Sequence, residues 1–445
     1  MTHMGISAII IEEIPYRKGD LMKRALTLVL LLSLLLSGCK TAPKPEKPES
    51  VPETVLDLSQ LQLIHSPSAV QTWRNLSQQF CQEFSRRTGL TFDLQSDEET
   101  FPLELLIGKT NRPLTTELSA ALEKAGGQRF GISVTADAVA VLGTDVYQTY
   151  LGLEHLMTTY LNGTTLTLPQ GQYISPENES LIGSKLAGDV IRTLVAQGQK
   201  PYLYPNKAVT YTPNEGDYRG TQGCGTDGTY AYVAKLNRTQ KNPERGKLYK
   251  YRLDTWELVA VSESLPTNHS NDITYNPELG LLVVVGASGS GNWLGGRAVN
   301  FIDPETLTLV NSVIAPQYLR GLEYDAASGG YIAAGDNYYF HKVDKDFNIL
   351  TTFRCQYPTY TQQGIYSDGT YLYDPRFSGI ESILQPVMVY SVDGEYIATV
   401  QTHEMLGSEP ESMFIHNGKF YIGCGGTHVI WEAELLPSAF WPIGN

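Results

Sequence analysis

The sequence predicts a multi-domain protein, a small α+β domain followed by an all-β propeller of five blades. Two observations carry this. From Gln222 to Glu434 one short pattern recurs five times at the spacing of propeller blades. Ahead of it, between residues 60 and 176, helical and strand periodicities interleave. A length of 445 residues is too great for one ordinary domain and suits two.

The chain opens with a targeting segment, residues 1–39. Lys23-Arg24 is a basic stretch, and Ala25 to Leu36 is apolar but too short for a stable membrane span. Leu36-Ser37-Gly38-Cys39 then matches the lipobox of bacterial lipoproteins. That resemblance implies cleavage before Cys39, lipidation of its thiol, and a protein held by acyl chains at the outer face of the cytoplasmic membrane. Met22 is the expected start, because such signals begin just before their basic pair. Arg17-Lys18-Gly19-Asp20 can be encoded by a purine-rich, ribosome-binding run. Residues 40–59, with Ala42-Pro43-Lys44-Pro45-Glu46, read as an extended tether. Removal of four basic and three acidic residues with the signal leaves 29 Lys and Arg against 44 Asp and Glu, a net of −15. Such a charge argues against nucleic acid as a partner.

In residues 60–176, Val70, Trp73, Leu76, Phe80, Cys81 and Phe84 fall on one helical face. Leu103–Ile107 reads as a strand, Pro113 opens a helix, and Phe130–Val134 with Ala138–Leu142 form a hairpin. Asp145 caps a third helix. This order, with Leu106-Ile107-Gly108-Lys109-Thr110-Asn111-Arg112 and with Gly143-Thr144-Asp145 leading into Tyr150-Leu151-Gly152-Leu153-Glu154-His155-Leu156, resembles the noncatalytic N-terminal domain of hexosaminidase- and α-glucuronidase-type glycoside hydrolases. The resemblance covers about a quarter of the chain. It implies a glycan setting without catalytic residues, since the barrel that follows in those enzymes is replaced here by a propeller.

The propeller is assigned to residues 186–445. With Gly223, Asp272, Gly321, Gly364 and Ser412 as equivalents, the steps are 49, 49, 43 and 48 residues. Each repeat has a first strand, a turn such as Asp227-Gly228 or Asp368-Gly369, two alternating strands, a second turn such as Asp303-Pro304, and a closing strand. The fifth repeat lacks its closing strand. Val190–Val195 or Ala208–Tyr211 is expected to supply it, with a sixth, degenerate blade between Leu186 and Gly220 as the alternative.

First strands of a propeller line one channel, so equivalent positions converge. Gln222, Asn271, Arg320, Gln363 and Glu411 (or Ser412) are expected to form a polar ring, with Asp272 and Glu323 beside it, as a ligand-binding mouth. Glycan or cell-envelope material is the expected ligand. Twenty-seven tyrosines suit carbohydrate contact and strand propensity alike. The alternative is a propeller hydrolase acting on polysaccharide, with two carboxyls among Asp272, Glu323 and Glu411 and with His269 nearby. Calcium is the cofactor that Glu404, Glu409 and Glu411 could hold, although their spacing matches no calcium loop. Gly286 to Asn292 lacks the Lys-Ser/Thr ending of a phosphate loop. Cys224 and Cys424 sit in repeats that a closed ring makes neighbours, so a bridge between them is chemically possible, with free buried thiols the other state.

Overall fold

The computed structural model describes residues 52–437 apart from 70, 179–180, 212–215, 242–243, 287–294, 336–337, 357–358, 381–384, 403–407 and 427. Cys39, where lipidation is expected, the expected signal region, most of the expected tether, Val70, most of the 286–292 loop and Glu404 therefore lie outside the described residues. From Glu53 onward the chain is one compact unit.

Its first part runs β1 (Glu53–Asp57), β2 (Gln62–His65), α1 (Gln71–Thr88), β3 (Leu94–Ser96), β4 (Glu104–Ile107), α2 (Pro113–Ala125), β5 (Phe130–Val134), β6 (Ala138–Gly143), α3 (Val146–His155), β7 (Leu161–Asn162), β8 (Thr165–Pro169) and β9 (Gly171–Ile174). The tether assignment through residue 59 is corrected here. Thr54 and Leu56 alternate inward, and β1 pairs antiparallel with β8 from Glu53↔Pro169 to Asp57↔Thr165. A six-stranded sheet has the order β3-β2-β4-β6-β5-β9, and β3, β2, β4 and β6 run parallel. Its two faces are both covered. Leu63, Leu105 and Val139 meet Leu76, Phe80 and Phe84 of α1, whereas Ile64, Leu106 and Ala140 meet Leu118 and Leu122 of α2. Alternate residues of buried parallel strands thus serve two opposed helices, which is why these strands read as continuous apolar runs. The helix ends follow their local chemistry: Pro113 occupies the first turn of α2, and Asp145 caps α3 by accepting from Gln148 N at 2.8 Å.

The second part begins with α4 (Ala187–Ala196) and β10 (Tyr202–Tyr211). Three repeats then form separate four-stranded antiparallel sheets. These are β11 (Tyr218–Thr226), β12 (Tyr230–Lys241), β13 (Glu244–Arg252) and β14 (Leu258–Val261); β15 (Asp272–Asn276), β16 (Leu281–Val285), β17 (Ala298–Ile302) and β18 (Leu309–Ile314); and β19 (Gly321–Asp325), β20 (Gly330–Ala334), β21 (Tyr339–Val343) and β22 (Ile349–Arg354). The fourth repeat has a divided first strand, β23 (Thr361–Gln362) and β24 (Tyr366–Ser367), then β25 (Tyr371–Phe377), β26 (Pro386–Ser391) and β27 (Tyr396–Thr402). The fifth comprises β28 (Pro410–His416), β29 (Lys419–Cys424) and β30 (Val429–Leu436). This is a β-propeller.

The recurring Asp-Gly-Thr-Tyr-x-Tyr pattern has a direct cause. Asp227 accepts from Thr229 N and Tyr230 N with one oxygen and from Tyr232 Oη with the other, at 2.7–2.8 Å. Asp368 repeats this with Thr370 N, Tyr371 N and Tyr373 Oη at 2.8–3.0 Å. Gly228 and Gly369 hold φ of +90° and +86°, where a side chain would be strained. At the second turn, Trp256, Leu307 and Phe347 all take left-handed φ, and Leu307 and Phe347 are buried. Their burial offsets a conformational cost of about 1–2 kcal/mol each.

The fifth repeat is completed by β10, antiparallel to β30 from Tyr202↔Leu436 to Tyr211↔Val429 with two register shifts. At its start, β10 also pairs parallel with β27, Tyr202↔Gln401 and Leu203↔Thr402. Ala208–Tyr211 therefore lies in the closing strand. The other candidate, Val190–Val195, is corrected to helix: Val190, Ile191 and Leu194 bury on one face of α4, a helical spacing that a short apolar run shares with a strand. Among its described residues, the stretch Leu186 to Gly220 contributes α4, β10 and the start of β11, and no sheet of its own. Tyr202, Tyr204 and Leu436 are buried among Leu76, Phe80 and Leu105, so the closing strand shares a core with the α+β part.

Candidate functional site

The five first strands do bring their equivalent residues together. Asp272 is fully buried at their meeting point. Its Oδ2 accepts from Leu322 N of the third repeat at 3.0 Å and Ile365 N of the fourth at 2.9 Å. Its Oδ1 lies 2.7 Å from Ser412 Oγ of the fifth, which is 2.9 Å from the Cys224 carbonyl of the first. One carboxyl and one hydroxyl thereby join all five repeats. Close approach requires glycine here: a Cβ at Gly364 would stand 2.6 Å from Asp272 Oδ1, and one at Gly223 2.7 Å from Asp272 Cα. Burial is the main reason the Asp272 carboxyl is pushed up to about 7, against the opposing bonds from Ile365 N, Ser412 and Leu322 N.

The remaining ring residues close the seams between repeats. Gln222 Nε2 donates to Glu411 Oε1 at 3.1 Å, Asn271 Nδ2 to the Arg320 carbonyl at 2.9 Å, and Arg320 Nη1 to the Gln362 carbonyl at 3.3 Å. Gln363 Nε2 donates to Glu409. Gly223 N donates to the Ser270 carbonyl, and Gly364 N to that of Glu411, both at 2.8 Å. Gln222, Asn271, Gln363 and Glu411 are all buried, and Gln222 Oε1 and Arg320 Nε find no protein partner.

Burial raises the Glu411 carboxyl well above the usual range, with Glu409 adding to it and Arg238 and Gln222 opposing. Glu323 is half-buried in the channel. Burial and then the neighbouring Asp272 raise its carboxyl strongly, while the Thr274 hydroxyl opposes. Asp272 and Glu323 thus meet, whereas Glu411 answers to Glu409. His269 faces Glu244, its Nδ1 3.3 Å from Glu244 Oε2, away from this ring. Asn268 and Ser270 take left-handed φ of +51° and +54°, which makes His269-Ser270-Asn271 a tight turn entering β15. Among the described residues no three His, Cys, Asp or Glu side chains are placed to hold a metal ion. Cys224 and Cys424 are buried free thiols, the former pushed up to about 12 by burial.

A cavity lies elsewhere among the described residues, a cleft of about 1010 Å³ where the loops after β2, β3, β4 and β6 face the propeller. His65, Ser68, Lys109 and Thr144 line one side, with Ala208 of β10 and Trp431 of β30 on the other. Gly108, at φ +72°, turns the chain beneath Trp73, where a Cβ would stand 2.6 Å from the indole ring. Burial holds His65 below its usual value, opposed by Asp97 and reinforced by Arg74. Neither His65 Nδ1 nor Trp431 Nε1 has a hydrogen-bond partner. Sequence reasoning passed over this cleft as a site: Ser66-Pro67-Ser68 carries no motif, Lys109-Thr110-Asn111 and Gly143-Thr144-Asp145 marked only the resemblance of the domain, and the signal that points to a cleft is the βα order of parallel strands.

No family model and no curated protein matches this chain. Among solved structures it is similar to a Myxococcus xanthus glutaminyl cyclase at 10% identity and a TM-score of 0.40, over 54% of this chain and 98% of that one. A tail fibre of Staphylococcus aureus phage P68 aligns at 15% identity and a TM-score of 0.36, over 54% of this chain and 52% of that one. The Neurospora crassa Pan2 WD40 domain aligns at 10% identity and a TM-score of 0.29, over 47% of this chain and 75% of that one. Likeness at these scores bears on neither activity nor ligand.

Proposed function

We propose that this chain is a lipid-anchored bacterial surface protein whose five-bladed propeller and hexosaminidase-N-like α+β domain bind glycan or cell-envelope material without catalysis. The observation that supports a noncatalytic role most is the bonding of Asp272. A glycosidase needs two carboxyls that reach the scissile bond from opposite sides. Here Asp272 is fully buried and accepts from two backbone amides of other repeats. Anchoring rests on Leu36-Ser37-Gly38-Cys39, and the glycan setting on the resemblance of residues 60–176. A second reading, a propeller hydrolase acting on polysaccharide, draws support from the half-buried Glu323, whose raised carboxyl beside Asp272 has the character of a general acid.

A glycan-array screen of the full chain, followed by a reducing-end release assay on each bound glycan, separates the two. Binding without release is the expected result. Release abolished by Glu323→Gln would establish the hydrolase instead. Labelled palmitate incorporated into wild type but not into Cys39→Ser tests the anchor, and equal labelling of both would refute it.

A further inference from the structure

The α+β sheet changes direction beside its own cleft. From β2 the chain passes through α1 on one face to β3, and from β4 through α2 on the opposite face. Between these departures the carboxyl ends of β2 and β4 part, leaving a crevice. Ligands of open α/β sheets sit at such switch points, where loops diverge and backbone groups are left without strand partners. In this chain the crevice is roofed by the propeller, because Ala208 and Trp431 belong to the paired strands β10 and β30. The same ring closure that completes the fifth repeat therefore completes the cleft.

The chemistry of the walls selects a class of ligand. Arg74 and Lys109 share the walls with Asp97, Glu98 and Asp145, so the cleft has no excess of positive charge to favour a phosphate, and no three acidic, thiol or imidazole groups among the described residues are placed to hold a metal ion. Arg74 is also engaged, donating from Nη1 to the Pro67 and Ala69 carbonyls at 3.0 and 2.7 Å. Hydroxyls of Ser68 and Thr144 stand at the exposed rim, and indoles of Trp73 and Trp431 contribute from the two sides. Flat aromatic surface among closely spaced donors and acceptors suits a ring that is apolar on its face and hydroxylated at its edge. A buried indole N–H ordinarily has a partner. That of Trp431 has none, which leaves bonding capacity in the propeller wall.

We infer that this cleft, rather than the channel mouth, is the ligand site, and that it takes an uncharged saccharide, as a chain end or a short oligosaccharide. The inference rests on the glycan-binding reading above and deepens it by naming the place. The test uses the full chain on a printed panel of neutral oligosaccharides, with the strongest binder titrated in solution. Ser68→Trp and Thr144→Trp each put bulk into the cleft from exposed positions on different loops, and unchanged melting checks that they fold. Thr351→Trp, at an exposed position of β22, adds the same bulk away from the cleft. A loss of at least about tenfold in affinity for both cleft variants, with Thr351→Trp binding as wild type does, is the expected result. Wild-type affinity in both cleft variants would overturn the cleft assignment and leave the glycan reading standing. Retention of no printed saccharide by the wild type would overturn both.

Discussion

Asp272→Asn is expected to stabilise the protein in alkaline solution. With an ionised Asp272, Ser412 has one proton for two acceptors, Asp272 Oδ1 and the Cys224 carbonyl. A protonated Asp272 donates to Ser412 Oγ, Ser412 donates onward to Cys224, and Oδ2 keeps both amides. The folded state therefore holds a proton that the unfolded chain releases near 3.8, and gives it up only at about 7. Stability from this group is complete below the lower value and is lost as pH rises through the upper one. At roughly 1.4 kcal/mol per pKa unit, the loss across that window is about 4 kcal/mol. Asparagine reproduces the protonated arrangement, since its amide donates to Ser412 at every pH. Urea unfolding at pH 5, 7 and 8.5 should show the variant about 1–2 kcal/mol more stable than wild type at pH 5 and about 4 kcal/mol more stable at pH 8.5. Asp272→Ala should be destabilised throughout, by about 1–3 kcal/mol for each of the two amides left without an acceptor. An asparagine variant less stable than wild type at pH 8.5 would refute the bonding scheme.

Other perturbations reach other parts of the fold. Asp374 and Arg376 form a fully buried pair at 2.5 Å; Arg376→Ala leaves an uncompensated carboxylate, and urea titration at pH 8 should show a loss of about 3–5 kcal/mol. A chain beginning at Gln222 lacks β10 and exposes the edge of β30, so it should be insoluble or melt at least about 10 °C below one beginning at Gly183; equal melting would remove β10 as the closing strand. Cys224 and Cys424 are buried and free, so a maleimide should label them only as fast as the propeller opens, and rapid labelling of folded protein would contradict their burial.

Much of the architecture was legible because its determinants are local. Asp227 and Asp368 bond within five residues of themselves, so the Asp-Gly-Thr-Tyr-x-Tyr pattern records the turn completely. Val190–Val195 was misread because six apolar-rich residues satisfy strand and helix alike, and only the faces offered by β27 and β29 decide between them. The ring residues were legible as a group, since repeat arithmetic places them together. Their bonding was not. Whether Asp272 meets solvent or two amides depends on Leu322 and Ile365, which are 50 and 93 residues away. The cleft was hidden for the same reason: it is assembled from short loops after β2, β3, β4 and β6 and from the distant strands β10 and β30.

The closing strand also sets an order of events during synthesis. Tyr202 is translated and delivered more than two hundred residues before its partner Leu436. Until the last turn emerges, β10 carries hydrophobic residues and open amides with no antiparallel neighbour, next to a core that Tyr202 and Tyr204 enter before Leu436. Propeller closure through β10 and β30 is thus a late, long-range step, slow by its contact order and gated by the synthesis of β30. A nascent or truncated chain lacking β30 is incomplete in both halves at once, which makes the final strand a checkpoint: a chain that stops short offers a chaperone or protease its unpaired edge, and a finished chain withdraws it.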